Sequence, residues 1–189
     1  MVRIDPWVYV FGALLVMLLP LNWLAAALAA AFFHEICHLA AIFLLGGRIL
    51  QVRIGIGGAA IETELPGRGK ELLCSLAGPA GSFLLVLLCH LLPKLAICAG
   101  IQGLFNLLPV YPLDGGRALR CGLALLWPEK AEKIGARTEI VALGGLALII
   151  VAGVIRYSLG IAPLLAGVLL ICKAILRKRP CKQSQIGVQ

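Results

Sequence analysis

Three side chains in one stretch of hydrophobic sequence have the types and spacing for metal-assisted hydrolysis. They are His34, Glu35 and His38, a His-Glu-x-x-His within Phe33–Leu39. On an α-helix, at about 100° per residue, His38 lies about 40° around from His34 and one turn along, so two imidazoles address one point. Glu35 falls within the same arc of about 100° and stays free beside the rings. That set holds one divalent metal and leaves a carboxylate available as a base. Two imidazoles and a carboxylate are costly at depth in a bilayer and by default mark a functional site there. A catalytic zinc takes three protein ligands and keeps one position open for water. The rest of the chain must therefore supply a third ligand, a way in for water, and a substrate.

Asp114 is the candidate third ligand. Asp5 lies in the leader and the other carboxylates lie in loops, which leaves Asp114 as the acidic residue embedded in strongly apolar sequence. Pro109 and Pro112 stop the helix before it, and Gly115-Gly116 free the backbone after it. Without that punctuation Asp114 would reach the surface above the histidines. With it, the chain can dip back so that the carboxylate meets the metal, an irregularity allowed only where protein or a water-filled cavity covers it. A turn Asp before Gly-Gly at the interface is the other reading of the same residue. Zinc lowers the pKa of water from 15.7 towards about 7 and polarises a scissile carbonyl, and Glu35 would take the proton and hand it to the leaving amine. Asn106, in an otherwise apolar helix, would bind substrate backbone or a developing oxyanion, or else make a helix–helix hydrogen bond.

Composition sets the solvent in which this happens. The chain has 189 residues, 61% hydrophobic and 14% charged, with a mean hydropathy of +1.00. No soluble domain of this size hides that much apolar surface, so the bilayer is its solvent. The net charge of +8 does not signal nucleic acid here, because the basic residues fall between hydrophobic runs and read as topology signals and headgroup contacts. Seven cysteines without a C-x-x-C pairing read as small packing residues that stay reduced.

The elements that must position the site follow from the hydrophobic runs. The expected fold is an all-α, six-span helical bundle with a small membrane-associated β-hairpin at about residues 50–65. The spans are expected at 7–21, 22–45, 72–92, 95–110, 140–155 and 157–176, forming one domain, 1–176, followed by a basic cytosolic tail, 177–189. The first opens with Trp7 and Tyr9 at the interface, ends at Pro20, and is expected to be retained rather than cleaved as a signal peptide. Asn22 is a candidate N-cap for the second, which carries the metal motif and six alanines between 25 and 31 that allow close helix packing. Val52 to Glu64 alternates around Gly57-Gly58 as a hairpin does, either a plain cap on the bundle or an open strand edge for an extended substrate. The third span holds Gly78-Pro79-Ala80-Gly81, which permits a kink and close packing against the metal helix. Residues 117–138 mix five basic residues with apolar positions and read as lying on the membrane surface, with Trp127-Pro128 ending one interfacial helix.

Under this arrangement 15 of the 17 Lys and Arg residues fall on one face. The positive-inside rule makes that face cytosolic and both termini with it. His38 and His34 then lie roughly 12 and 18 Å below the cytosolic end of the second span.

The pairing of His34-Glu35-x-x-His38 with Asn106-x-x-Pro109-x-x-x-x-Asp114-Gly115-Gly116 resembles the site-2 protease family. The Leu-Leu-Pro-Val-Tyr-Pro-Leu-Asp-Gly-Gly run and the six-span pattern most resemble its bacterial sporulation branch, stage IV sporulation protein FB. The likeness covers roughly residues 20–125, including Gly78-Pro79 after the Gly57-Gly58 strand region. It implies one Zn2+ on His34, His38 and Asp114, Glu35 as base and Asn106 near substrate. It also implies cleavage of a membrane-associated protein in or beside its transmembrane segment to release a regulator such as a sigma-factor precursor. The expected partners are that substrate, the lipid bilayer and regulatory membrane proteins, in a bacterial cell membrane. Two departures stand out. Cys37 occupies the position before the second histidine where the family usually has Gly, a change expected to be tolerated because Cys is small. Only 13 residues follow the last expected span, so no PDZ or C-terminal CBS module is expected. A catalytically inactive zinc-binding scaffold and an ion transporter are the competing classes. The intact Glu35 argues against the first, and the lack of an internal repeat against the second.

Overall fold

The computed structural model describes residues 2–4, 16–17, 19–55 and 58–157. Most of the expected first span, nearly all of the sixth, the tail and Gly57 lie outside the described residues. The chain divides into two compact units, residues 1–138 and 139–189.

Helix α1 runs from Leu21 to Leu44. Nothing in those 24 residues breaks a helix, and at about 1.5 Å per residue it is about 36 Å long. The expected cap at Asn22 is not used. The helix opens one residue earlier, with the Pro20 carbonyl accepting from the Trp23 and Leu24 amides at 2.9 and 3.1 Å. Gly46 ends it in the left-handed conformation at φ 71°. The Gly47 amide then bonds back to the Ile42 carbonyl at 2.8 Å, the closing bond of a Schellman turn.

The expected hairpin follows: β2 (Arg48–Gly55) pairs antiparallel with β3 (Gly58–Glu64), closing at Gly55 opposite Gly58, with one irregularity between Ile49 and Gln51. A further strand, β1 (Val2–Ile4), joins β2 in parallel with Val2 opposite Val52, giving the order β1-β2-β3. Three residues carry too little pattern to announce a strand, and a parallel partner lies far away in sequence.

Helix α2 (Arg68–Val86) starts earlier than the apolar run that predicted it and ends sooner, in a series of turns at 87–91. Its charged first turn is helical because it serves its neighbours. Lys70 Nζ donates to the Leu45 carbonyl just past α1 at 2.9 Å, and Arg68 donates to the Ala124 carbonyl at 3.2 Å. These are cations on helix C-terminal carbonyls, where the dipole favours them. α3 (Pro93–Asn106) is 14 residues long, with Pro93 at its first turn. A loop, 107–113, leads into α4 (Asp114–Leu126), which Trp127-Pro128 ends as expected. The remainder of the surface segment behaves differently. Residues 131–138 continue without a break into the fifth hydrophobic run as one 27-residue helix, α5 (Ala131–Tyr157).

Among the described residues, α1 and the Ala131–Gly153 part of α5 are long and apolar enough to cross a bilayer. Among the described residues of the first unit, the most completely buried side chains are small ones, Pro79, Ser75 and Ser82. Ala30, Ala99 and Leu85 bring α1, α2 and α3 together, with Phe33, Leu95 and Cys98 packed around them. Large apolar side chains point outwards instead: Phe32 is 69% and Phe43 83% exposed. Small residues inside and large ones outside is the arrangement that lipid selects, since burying leucine away from lipid gains little and close backbone approach gains dispersion.

Candidate metal centre

α1 places His34 and His38 one above the other on its buried side. α2 passes across them and can do so because Gly78 has no side chain. A Cβ there would collide with His38 Nε2 and stand 2.7 Å from His34 Nε2. Pro79 cannot donate to the Ser75 carbonyl, which loosens this turn of α2. The neighbouring Cys74 carbonyl takes a bond from His38 Nδ1 at 2.8 Å. A carbonyl only accepts, so Nδ1 of His38 carries the proton and Nε2 presents a lone pair to the site. His34 Nδ1 lies 2.8 Å from Ser82 Oγ, about two turns further along α2. Both rings are thus held from behind by α2, as metal-binding imidazoles usually are.

Asp114 arrives from the other side at the first residue of α4, where the helix dipole favours a carboxylate. Its helix can pack there because Gly115 lies against the Leu107 carbonyl, and a Cβ on Gly116 would stand 2.5 Å from the Val110 carbonyl carbon. Asp114 Oδ2 is 3.0 Å from both Nε2 atoms, and these are 3.2 Å apart. All three residues are buried.

Three lone-pair atoms forming a triangle of 3.0–3.2 Å repel one another unless a cation or protons lie between them. With ligand bonds of about 2.0–2.2 Å, three corners of a tetrahedron around zinc are about 3.3–3.6 Å apart. The donor set, its spacing and the room left by Gly78 fit one such ion. Glu35 is half-buried on the same helix and outside the triangle.

The structure thus brings His34, His38 and Asp114 together, with Glu35 beside them and Gly78, Gly115 and Gly116 at close contacts. Pro109 lies in the loop that turns the chain back. Asn106 is not part of the triangle, and its amide donates to the Gln102 carbonyl of its own helix at 3.1 Å rather than to another helix. Gly58 opens β3, while Gly57 lies outside the described residues. Ser82 and the Cys74 carbonyl were missed. The available signal was a serine four residues after Gly78 in an apolar run, on the face that Gly78 turns towards the histidines.

Cys37 sits against Gly81, where any Cβ would collide with its Sγ. The extra bulk on α1 is thus matched by an absent side chain on α2. Gly81→Ala is expected to lower stability by about 2–3 kcal/mol through overpacking. Adding Cys37→Gly should recover all but the roughly 1 kcal/mol that a mid-helix glycine costs. Thermal unfolding in detergent reads both, and equal losses in the single and double variants would remove this contact as the cause. The five described cysteines (37, 74, 89, 98 and 121) are free thiols.

No family model matches the chain. A zinc metalloprotease of Methanocaldococcus jannaschii is 34% identical over 119 residues, which is 54% of this chain and 35% of that protein. The chain thus spans about a third of the length of that relative. The fold is similar to that of the site-2 protease from Methanocaldococcus jannaschii, with a TM-score of 0.68 at 23% identity over 99% of this chain and 94% of the other.

Proposed function

We propose that this chain is an intramembrane zinc metalloprotease of the site-2 protease type, an endopeptidase acting in or next to a transmembrane segment of a membrane-associated protein. The observation that carries the reading is the triangle of His34 Nε2, His38 Nε2 and Asp114 Oδ2, with Glu35 next to it on an apolar helix. The similarity to a zinc metalloprotease in sequence and to a site-2 protease in fold supports it.

Zinc held by His34, His38 and Asp114 would supply Lewis acidity towards the scissile carbonyl and make water acidic enough to attack at neutral pH. Cys74 and Ser82 keep the two rings turned so that both Nε2 atoms face one point. Glu35 takes the proton from the attacking water and delivers it to the leaving amine. The outer strand β3, which Gly58 opens, offers backbone groups to an extended substrate, and the sequence-based reading adds Gly57 to that edge. Asn106 completes the contact to the substrate backbone through its side-chain carbonyl. The Leu107–Gly116 run supports placement near the sporulation branch, with a sigma-factor precursor or similar regulator as substrate. The charge distribution supports cytosolic termini in a six-span arrangement, and the same reading takes the membrane as a bacterial cell membrane and allows for regulatory membrane partners.

The test is metal removal on the full chain purified in detergent. One zinc per chain is expected, with cleavage of a co-reconstituted membrane-protein substrate lost on chelation and restored by equimolar zinc. Cleavage that persists in the stripped chain would sink the metalloprotease reading. One tightly held zinc without cleavage of any membrane substrate would point instead to a scaffold.

A further inference from the structure

Asp114 is delivered by a loop, and what holds that loop lies outside the metal triangle. Residues 107–113 carry two internal turn bonds, Val110 amide to Leu108 carbonyl at 2.7 Å and Leu113 amide to Val110 carbonyl at 2.9 Å. The loop then lies down on the first turn of α4, touching Gly115 and Gly116. Those contacts are to the backbone of the loop. The guanidinium of Arg120, two turns along α4, lies 4.8 Å from the centroid of the Tyr111 ring. That is within the range in which the quadrupole of an aromatic face attracts a cation. The stem of Arg120 is in turn covered by α5. Gly135 is buried there, and a Cβ on it would stand 3.4 Å from Arg120 Cγ and 3.9 Å from Nε. The α5 backbone therefore backs the arginine that faces the tyrosine.

We infer that Arg120 is a positioning residue for the metal centre: stacked on Tyr111 and backed by Gly135, it pins the 107–113 loop to α4 and so fixes the Asp114 carboxylate opposite the two histidines. It touches neither metal nor substrate. Its position is consequential because Asp114 is the ligand that comes from outside α1, at the junction of this loop with α4. The arrangement also links the site to the N-terminal part of α5, since displacing Gly135 moves the support from under Arg120. The inference rests on the metal reading above.

The experiment follows zinc release from the zinc-loaded full chain in detergent, using a chelating indicator, with melting temperature recorded in parallel. Arg120→Ala and Tyr111→Leu should each speed release about tenfold, and the double variant no more than either single, because both break one contact. Tyr111→Phe keeps the ring and Arg120→Lys keeps a cation, so both should stay within about twofold of the parent and serve where the harsher variants fold poorly. Release unchanged in folded Arg120→Ala and Tyr111→Leu, effects that multiply in the double variant, or a lowered melting temperature with unchanged release would each overturn the clamp alone. A parent chain holding no zinc, or one whose zinc release is unaffected by Asp114→Asn, would overturn the metal reading and the clamp with it.

Discussion

Glu35→Gln is expected to lower the rate of peptide cleavage by about 10²–10⁴-fold, the usual contribution of a positioned general base, while the chain still binds one zinc. The substitution keeps size, polarity and helix position and removes only the capacity to accept a proton. Glu35 is not one of the three converging atoms, so the ligand set should survive. His34→Ala or Asp114→Ala would instead remove metal and activity together, and the contrast separates a base from a ligand. The measurement is the initial rate on a membrane substrate in proteoliposomes, with metal content determined on the same preparation. A Glu35→Gln chain that keeps its zinc and more than about a tenth of the parent rate would remove Glu35 as proton acceptor. Loss of zinc in that variant would recast Glu35 as a ligand.

The parts of this site legible in the sequence were those written in local spacing. His34, Glu35 and His38 share one helical arc, and an i, i+4 relation survives whatever the helix packs against. Asp114 could be found because a carboxylate in apolar sequence is expensive and because Pro109, Pro112 and Gly115-Gly116 mark the break that delivers it. Gly78 was recognisable as a close-packing residue, although not as the one lying directly over both rings. What could not be read was set by contacts far apart in the chain. Whether Ser82 or Ser75 meets a histidine depends on the rotation of α2, and hydropathy says little about rotation when both faces of a helix are apolar. The β1–β2 pairing joins residues about fifty positions apart through a three-residue strand. Helix ends were displaced for a related reason. Arg68 and Lys70 look like loop residues until the carbonyls of Ala124 and Leu45 are placed beside them. Cys37 looked like a departure that needed tolerance, and the structure supplies the tolerance on a different helix, at Gly81.

Gly78→Ala is expected to abolish stoichiometric zinc binding and, with it, cleavage. A single methyl group is added, and in most helices it would stabilise: exchanging glycine for alanine in a helix interior is worth about 0.8–1 kcal/mol. Here the methyl carbon would stand 2.7 Å from His34 Nε2 and from His38 Cε1 and closer still to His38 Nε2. It therefore takes up space against the two nitrogen lone pairs that a metal ion needs. Relief requires α2 to move away from α1 or the rings to turn. Turning the rings breaks the bonds from His34 to Ser82 and from His38 to the Cys74 carbonyl. Outer partners of this kind are typically worth 10–100-fold in metal affinity, and direct intrusion at the ligand atoms should cost at least that much. Gly122→Ala is the matched control: its Cβ meets nothing within 4 Å, so it should raise stability slightly and leave the metal in place. Metal content after dialysis against a weak chelator, measured on both variants, gives the answer. A Gly78→Ala chain that retains one zinc and the parent rate would show that α2 does not lie over the histidines in this way, and the geometry of the whole centre would have to be redrawn.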